Sequence, residues 1–177
     1  TWEDDRHLHL FGRFDFAGGL DGLPIKMLEF NADTPTSLPE TAVIQWAQVR
    51  ANNLDEEKQF NFVYDALIDN FSRLLDANAD LNPRLLVSTF KDAPEDDINV
   101  SILSEAAREA GFEVEFCYID DVVFSEEDGI FVQHSENHYE KYDFWFKLVP
   151  WESIAWEEPE LLDILTKIVK NRKAVII

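Results

Sequence analysis

From residue 84 onward, short apolar runs alternate with segments that are apolar on one side only. Residues 84–89 read as a strand and 112–119 as another. Between them, 97–110 is a helix expected to point Ile98, Ile102, Leu103, Ala106, Ala107 and Ala110 inward, with Gly111 as its C′ residue. Two strands joined this way form a parallel βαβ unit. Helix 159–170, with Pro159 in its first turn, and a last strand at 172–177 continue the pattern. The three strands are expected in one largely parallel sheet covered by the two helices. Residues 122–124 and 130–132 flank the turn SEEDG as a small hairpin. Residues 142–148 read as a strand with Phe144 and Phe146 opposite Trp145 and Lys147. Residues 150–156 form a turn or short helix that should bury Trp151 or Trp156. Upstream, Phe60, Val63, Tyr64, Leu67, Ile68, Phe71, Leu74 and Leu75 recur at helical spacing within one long helix, 55–77. The fold class is α/β, an open three-layer domain with a largely parallel sheet.

A second pattern precedes this one. Residues 11–16 and 25–31 both alternate with period two around Gly18, Gly19 and Gly22, as a β-hairpin does. A turn centred near Gly22 sets Asp15 opposite Glu29, Arg13 opposite Asn31 and Phe14 opposite Phe30. Arg13, Asp15, Glu29 and Asn31 then share one face, and Phe14, Phe16, Leu28 and Phe30 anchor the other in a core. Lys26 falls by parity with Leu28 and Phe30. Facing carboxylates repel. The face is either solvated or holds a hard divalent cation in an all-oxygen shell. After the hairpin, Ser37 or Thr36 could cap a helix carrying Leu38, Ala42, Val43, Trp46 and Val49, with Glu40 completing a capping box. His7 and His9 read as histidines of an edge strand.

The formal charge of −21, from 36 acidic and 15 basic residues, argues against nucleic acid and anionic membrane as partners. Cys117 is the only cysteine, which suits a reducing, cytoplasmic setting and reads as a buried small hydrophobe. The chain of 177 residues begins with Thr and ends in KAVII, and it reads as part of something longer. No dinucleotide fingerprint or P-loop follows any strand.

GRFDF, a glycine-containing insert and KMLEFNADTPTSLPE resemble the signature of the glutathionylspermidine synthase family. EDDINVSILSEAAREAGFEVEF, YIDDV and FKLVPWE follow in the family's order, so the resemblance spans essentially the whole chain. It implies an ATP-grasp ligase that joins a carboxylic acid to an amine through an acyl phosphate made from ATP. Residues 1–54 would be a partial ATP-grasp segment, and 55–177 the Rossmann-like pre-ATP-grasp domain. Asp15, Glu29 and Asn31 would hold Mg²⁺ with ATP, and Arg13 would steady the transferring phosphoryl group or the acyl phosphate. Thr34 and Thr36 would touch the carboxylate substrate. The acidic loop residues Glu95 and Asp96 are expected to meet the amine.

Ligands of parallel sheets sit beyond the carboxyl ends of strands, where Thr89, Glu95, Asp96, Asp120 and Asp121 should gather. The nucleotide-holding lysines of an ATP-grasp are expected beyond Ile177, in the remainder of the parent chain, so the fragment alone is expected to be inert. Two rival readings stay open: a non-catalytic acidic α/β interaction module, and a metal-dependent hydrolase using Asp15 and Glu29.

Overall fold

The computed structural model describes residues 6–58 and 62–177. Four parallel strands form the central sheet in the order β4 (Glu113–Phe116), β3 (Arg84–Ser88), β8 (Phe144–Lys147) and β9 (Val175–Ile176). The three segments expected in one sheet are there, with β8 between two of them. Period-two alternation divides their side chains between two cores. Leu85, Val87, Phe144, Phe146 and Val175 pack on one side with α2 (Val63–Ala77) and α3 (Pro94–Glu109). Leu86 and Trp145 pack on the other with α4 (Trp151–Glu157) and α5 (Pro159–Lys170). The Trp145 Nε1–H donates to Ser88 Oγ at 3.0 Å, so this buried indole leaves no polar atom unpaired. The fold is the expected α/β class, three layers deep around a parallel sheet.

An antiparallel sheet of β5 (Val122–Ser125), β6 (Gly129–Ser135) and β7 (His138–Tyr142) lies beside α5. The small hairpin is therefore present, with a third strand the sequence did not announce. Tyr142 ends β7 rather than opening β8, so 142–148 is not one strand. The break falls at Asp143, whose Oδ2 accepts the Asn82 backbone and side-chain N–H groups at 3.0 and 2.9 Å.

Helix α3 begins at Pro94, three residues before the expected start. Proline suits a first helical position, and Glu95, Asp96 and Asp97 complement the dipole of the first turn. Ile98 is exposed, contrary to expectation, and Asn99 faces the interior at 6 % exposure. Helix α2 begins at Val63; a 3₁₀ turn, Glu56–Lys58, precedes it, and Phe60 lies outside the described residues. The N-terminal segment is not a strand at His7 and His9. It runs across α2 with Leu10 in the core, and Asn70 and Asn78 donate to the Leu10 and Arg6 carbonyls at 2.9 Å each.

The capping box does not form. Ser37 takes φ +74°, outside the extended geometry of a capping residue. The helix instead starts at Pro39–Ile44 with π winding and continues as α1 (Gln45–Ala51). Of its apolar residues Leu38 is buried, whereas Val43, Ile44 and Trp46 are exposed. Neither indole is buried as expected: Trp151 is 37 % exposed, with its ring 4.1 Å from the Lys147 ammonium, and Trp156 is 86 % exposed. Cys117 is half-buried; burial, then Asp121 and Glu115, raise its pKa above the usual thiol value. No helix among the described residues is long and apolar enough to cross a membrane.

Candidate functional site

The hairpin pairs β1 (Arg13–Ala17) with β2 (Lys26–Asn31) in the expected register: Arg13 with Asn31, Phe14 with Phe30, and Asp15 with Glu29. The turn is made by left-handed glycines. At Gly18, φ is +94° and a Cβ would lie 2.3 Å from the Pro24 carbonyl oxygen. Gly12 has a different role, because a Cβ there would meet the Phe30 ring, which stacks on Phe14 with centroids 4.2 Å apart.

The pairing shifts between Asp15 and Phe16, which then meets Met27, and Ala17 meets Lys26. One extra residue, Leu28, is accommodated as a β-bulge. Directly paired residues share a face, so Lys26 stands with Ala17 on the side of Arg13, Asp15 and Glu29. Strict alternation had placed it on the other side. The apolar back also differs from expectation. Phe14, Phe16, Met27, Leu28 and Phe30 are all exposed, outside both cores of the α/β domain.

On the polar face, Arg13 Nε donates to Asp15 Oδ1 at 3.2 Å and Nη1 to Thr36 Oγ1 at 3.0 Å. Arg13 thus joins the strand to the loop that carries Thr34 and Thr36. Asp15 has Arg13 as a neutralising neighbour, and Glu29 faces it across the ladder. Asn31 builds the next turn. Its Oδ1 accepts the backbone N–H groups of Asp33 and Thr34 at 3.2 and 3.0 Å, and its Nδ2 donates to the Thr34 carbonyl at 3.2 Å. The donor set is all-oxygen, as Mg²⁺ prefers, with two carboxylates open to solvent and one amide oxygen already carrying two N–H groups.

Two residues outside the expected set fasten this face to the α/β domain. Lys147, at the carboxyl end of β8, donates to Asp33 Oδ1 at 2.7 Å. Asn99 accepts the Leu38 N–H at 3.0 Å and donates to the Glu95 carbonyl at 2.8 Å. Burial lowers the Lys147 pKa below the ordinary lysine value, and the bond to Asp33 acts against that shift. A lysine in an otherwise apolar strand, in FKLVPWE, was the available signal for the first. Asn99 carried none.

Glu95 and Asp96 lie in the first turn of α3, and Asn99 links that turn to the segment after Thr36. Burial, then Asp97 and Glu95, raise the Asp96 pKa above the usual carboxylate range. At the same sheet edge, Thr89 Oγ1 and the Tyr118 hydroxyl donate to Asp97 at 2.8 and 3.4 Å, and Lys91 pairs with Asp121 at 3.1 Å. A cleft of about 720 Å³ lies on the apolar side of the hairpin, lined by His7, His9, Phe30, Asp33, Phe146 and Trp151 among others. Elsewhere, Glu115, His134 and Glu140 bring possible ligand atoms within 4.8 Å of one another. Arg84 pairs with Glu140 and the Tyr142 hydroxyl donates to Glu115, so these side chains are already joined in a hydrogen-bonded network across β3, β4, β6 and β7.

The family model for the glutathionylspermidine synthase pre-ATP-grasp region matches residues 1–177. The chain belongs to this family. The match runs through the hairpin and the α/β domain alike. A relative from Haemophilus influenzae, named "Putative acid--amine ligase", is 36 % identical over 152 residues, covering 85 % of this chain and 37 % of its own length. The chain thus spans well under half of that relative. This glutathionylspermidine synthase pre-ATP-grasp family chain thus corresponds to part of a longer relative.

Proposed function

We propose that the chain is part of an ATP-dependent ligase that joins a small carboxylic acid to an amine through an acyl phosphate. The observation that carries this reading is the hairpin register, which sets Arg13, Asp15, Glu29 and Asn31 on one face. The Asp15 and Glu29 carboxylates and the Asn31 amide oxygen would hold Mg²⁺, which supplies charge neutralisation for bound ATP. Arg13, already placed between Asp15 and Thr36, would meet charge that develops on the phosphoryl group during transfer. Thr34 and Thr36 would orient the acid, and Glu95 with Asp96 would attract a cationic amine. Residues 1–54 form the ATP-facing segment and 55–177 the supporting domain, in a cytoplasmic enzyme. The exposed apolar back, Phe14, Phe16 and Phe30 with Val43, Ile44 and Trp46 nearby in sequence, supports docking against the remainder of the parent chain. By this reading the chain alone has no turnover.

The test uses the full-length protein with glutathione as the acid and spermidine or hydroxylamine as the amine. Amine-dependent ADP release, with hydroxamate from hydroxylamine, is the expected result. Glu29→Gln should abolish it. Arg13→Met should lower kcat by more than tenfold, because its partner charge forms only in the transition state. Thr34→Val with Thr36→Val should raise the KM for the acid more than that for ATP. Near-normal turnover in E29Q would overturn the site, and absence of ADP release across a panel of peptide acids would overturn the substrate class.

A further inference from the structure

Lys147 is 2 % exposed at the carboxyl end of a strand buried on both sides. A buried ammonium is costly, and an apolar side chain of similar volume fills such a space at least as well. Folding alone therefore gives no reason for a lysine here. Its bonds give one. Besides Asp33, Nζ donates to the Val149 carbonyl at 2.7 Å, and the ring of Trp151 closes over it. Asp33 Oδ2 accepts the Trp151 backbone N–H at 2.9 Å, so both carboxylate oxygens are held by the α/β domain. The Asp33 backbone N–H in turn donates to Asn31 Oδ1 at 3.2 Å. A continuous path thus runs from the centre of the parallel sheet to the amide oxygen at the end of β2.

We propose that Lys147 is a positioning residue: through Asp33 it fixes the turn after β2, and thereby sets where Asn31 presents its amide oxygen to the cation site. This rests on the reading of Asn31 as part of that site. Asn31 sits at the last position of an exposed two-stranded ribbon, and an isolated ribbon is too mobile to hold a ligand to a fixed distance. Anchoring its last turn to the best-packed strand removes that freedom. Residues that orient metal ligands in this way change metal affinity by about ten- to a hundredfold when they are removed.

The experiment titrates Mg²⁺ calorimetrically into the full-length protein saturated with AMP-PNP, alongside thermal denaturation without metal. Lys147→Met, which keeps the volume and removes the charge, should weaken Mg²⁺ by about tenfold without lowering the metal-free Tm. Asp33→Asn reaches the same link from its exposed end and should shift Mg²⁺ binding in the same direction, which keeps the test open if K147M does not fold. In turnover, both variants should need more Mg²⁺ and regain rate when it is saturating. Asn31→Ala separates the two layers of the argument. If N31A weakens Mg²⁺ but K147M and D33N do not, Lys147 is structural and the proposal fails. If N31A has no effect on Mg²⁺, the cation-site reading itself fails. A large loss of Tm in K147M with unchanged Mg²⁺ affinity would also overturn the positioning role.

Discussion

Asn99→Ala tests how the site loop is held to the α/β domain. Leu38 and Asn99 are both buried, and the Leu38 N–H is bonded to Asn99 Oδ1 at 3.0 Å. Removing the amide leaves that donor without its partner, which costs about 1–3 kcal/mol. The Asn99 Nδ2 bond to the Glu95 carbonyl also goes, but that carbonyl lies in a helix and keeps its main-chain partner geometry, so little is added. The small void left by the shortened side chain adds a few tenths of a kcal/mol, on the scale of about 24 cal/mol per Å³. The expected loss is about 1.5–3 kcal/mol. At about 2–4 °C per kcal/mol for a domain of this size, Tm should fall by about 3–12 °C. Urea denaturation followed by tryptophan fluorescence and by far-UV circular dichroism measures it. In the full-length protein, under the proposed ligase function, N99A should also raise the KM of the acid, because the segment from Thr34 to Leu38 loses its tie to α3. A loss below about 0.5 kcal/mol, the range of ordinary surface changes, would show that the tie is not what holds the loop.

Ser88→Ala should cost about 1–3 kcal/mol for the orphaned Trp145 indole N–H, and a double-mutant cycle with Trp145→Phe should recover most of it; additivity would refute the bond's role. Cys117 should react with a disulfide reagent at pH 7.5 more slowly than the same thiol in urea, because its pKa is raised by burial and by Asp121. Equal rates would contradict that environment. Burial and the bond to Glu109 push the Tyr64 hydroxyl up to about 12. The neutral phenol is thus favoured by folding, and its contribution is complete below pH 10, the unfolded value, and is lost as pH rises through the folded value. Stability of the wild type should fall above pH 10 more steeply than that of Tyr64→Phe, and matching pH profiles would refute the linkage.

Much of the architecture is already present in residue order. A continuous apolar run such as 84–89 suits a strand buried on both faces of a parallel sheet, and amphipathic helices between such strands supply the covering layers. The hairpin register follows from two period-two runs and a glycine turn, and Asp15 does face Glu29. What sequence could not decide depends on partners distant along the chain. Periodicity gives a helix its stripe but not the edge of that stripe, so Ile98 could be outside and Asn99 inside; the acceptor needed by Leu38, 61 residues away, decides it. Strict alternation cannot foresee a bulge, because the inserted residue costs only local pairing, and so Lys26 changed faces at Leu28. Lys147 shows the same limit most plainly. Charge alone directs a lysine to water, and it is Asp33, 114 residues away and brought close by the fold, that together with the Val149 carbonyl and the Trp151 ring lets its ammonium remain in the sheet.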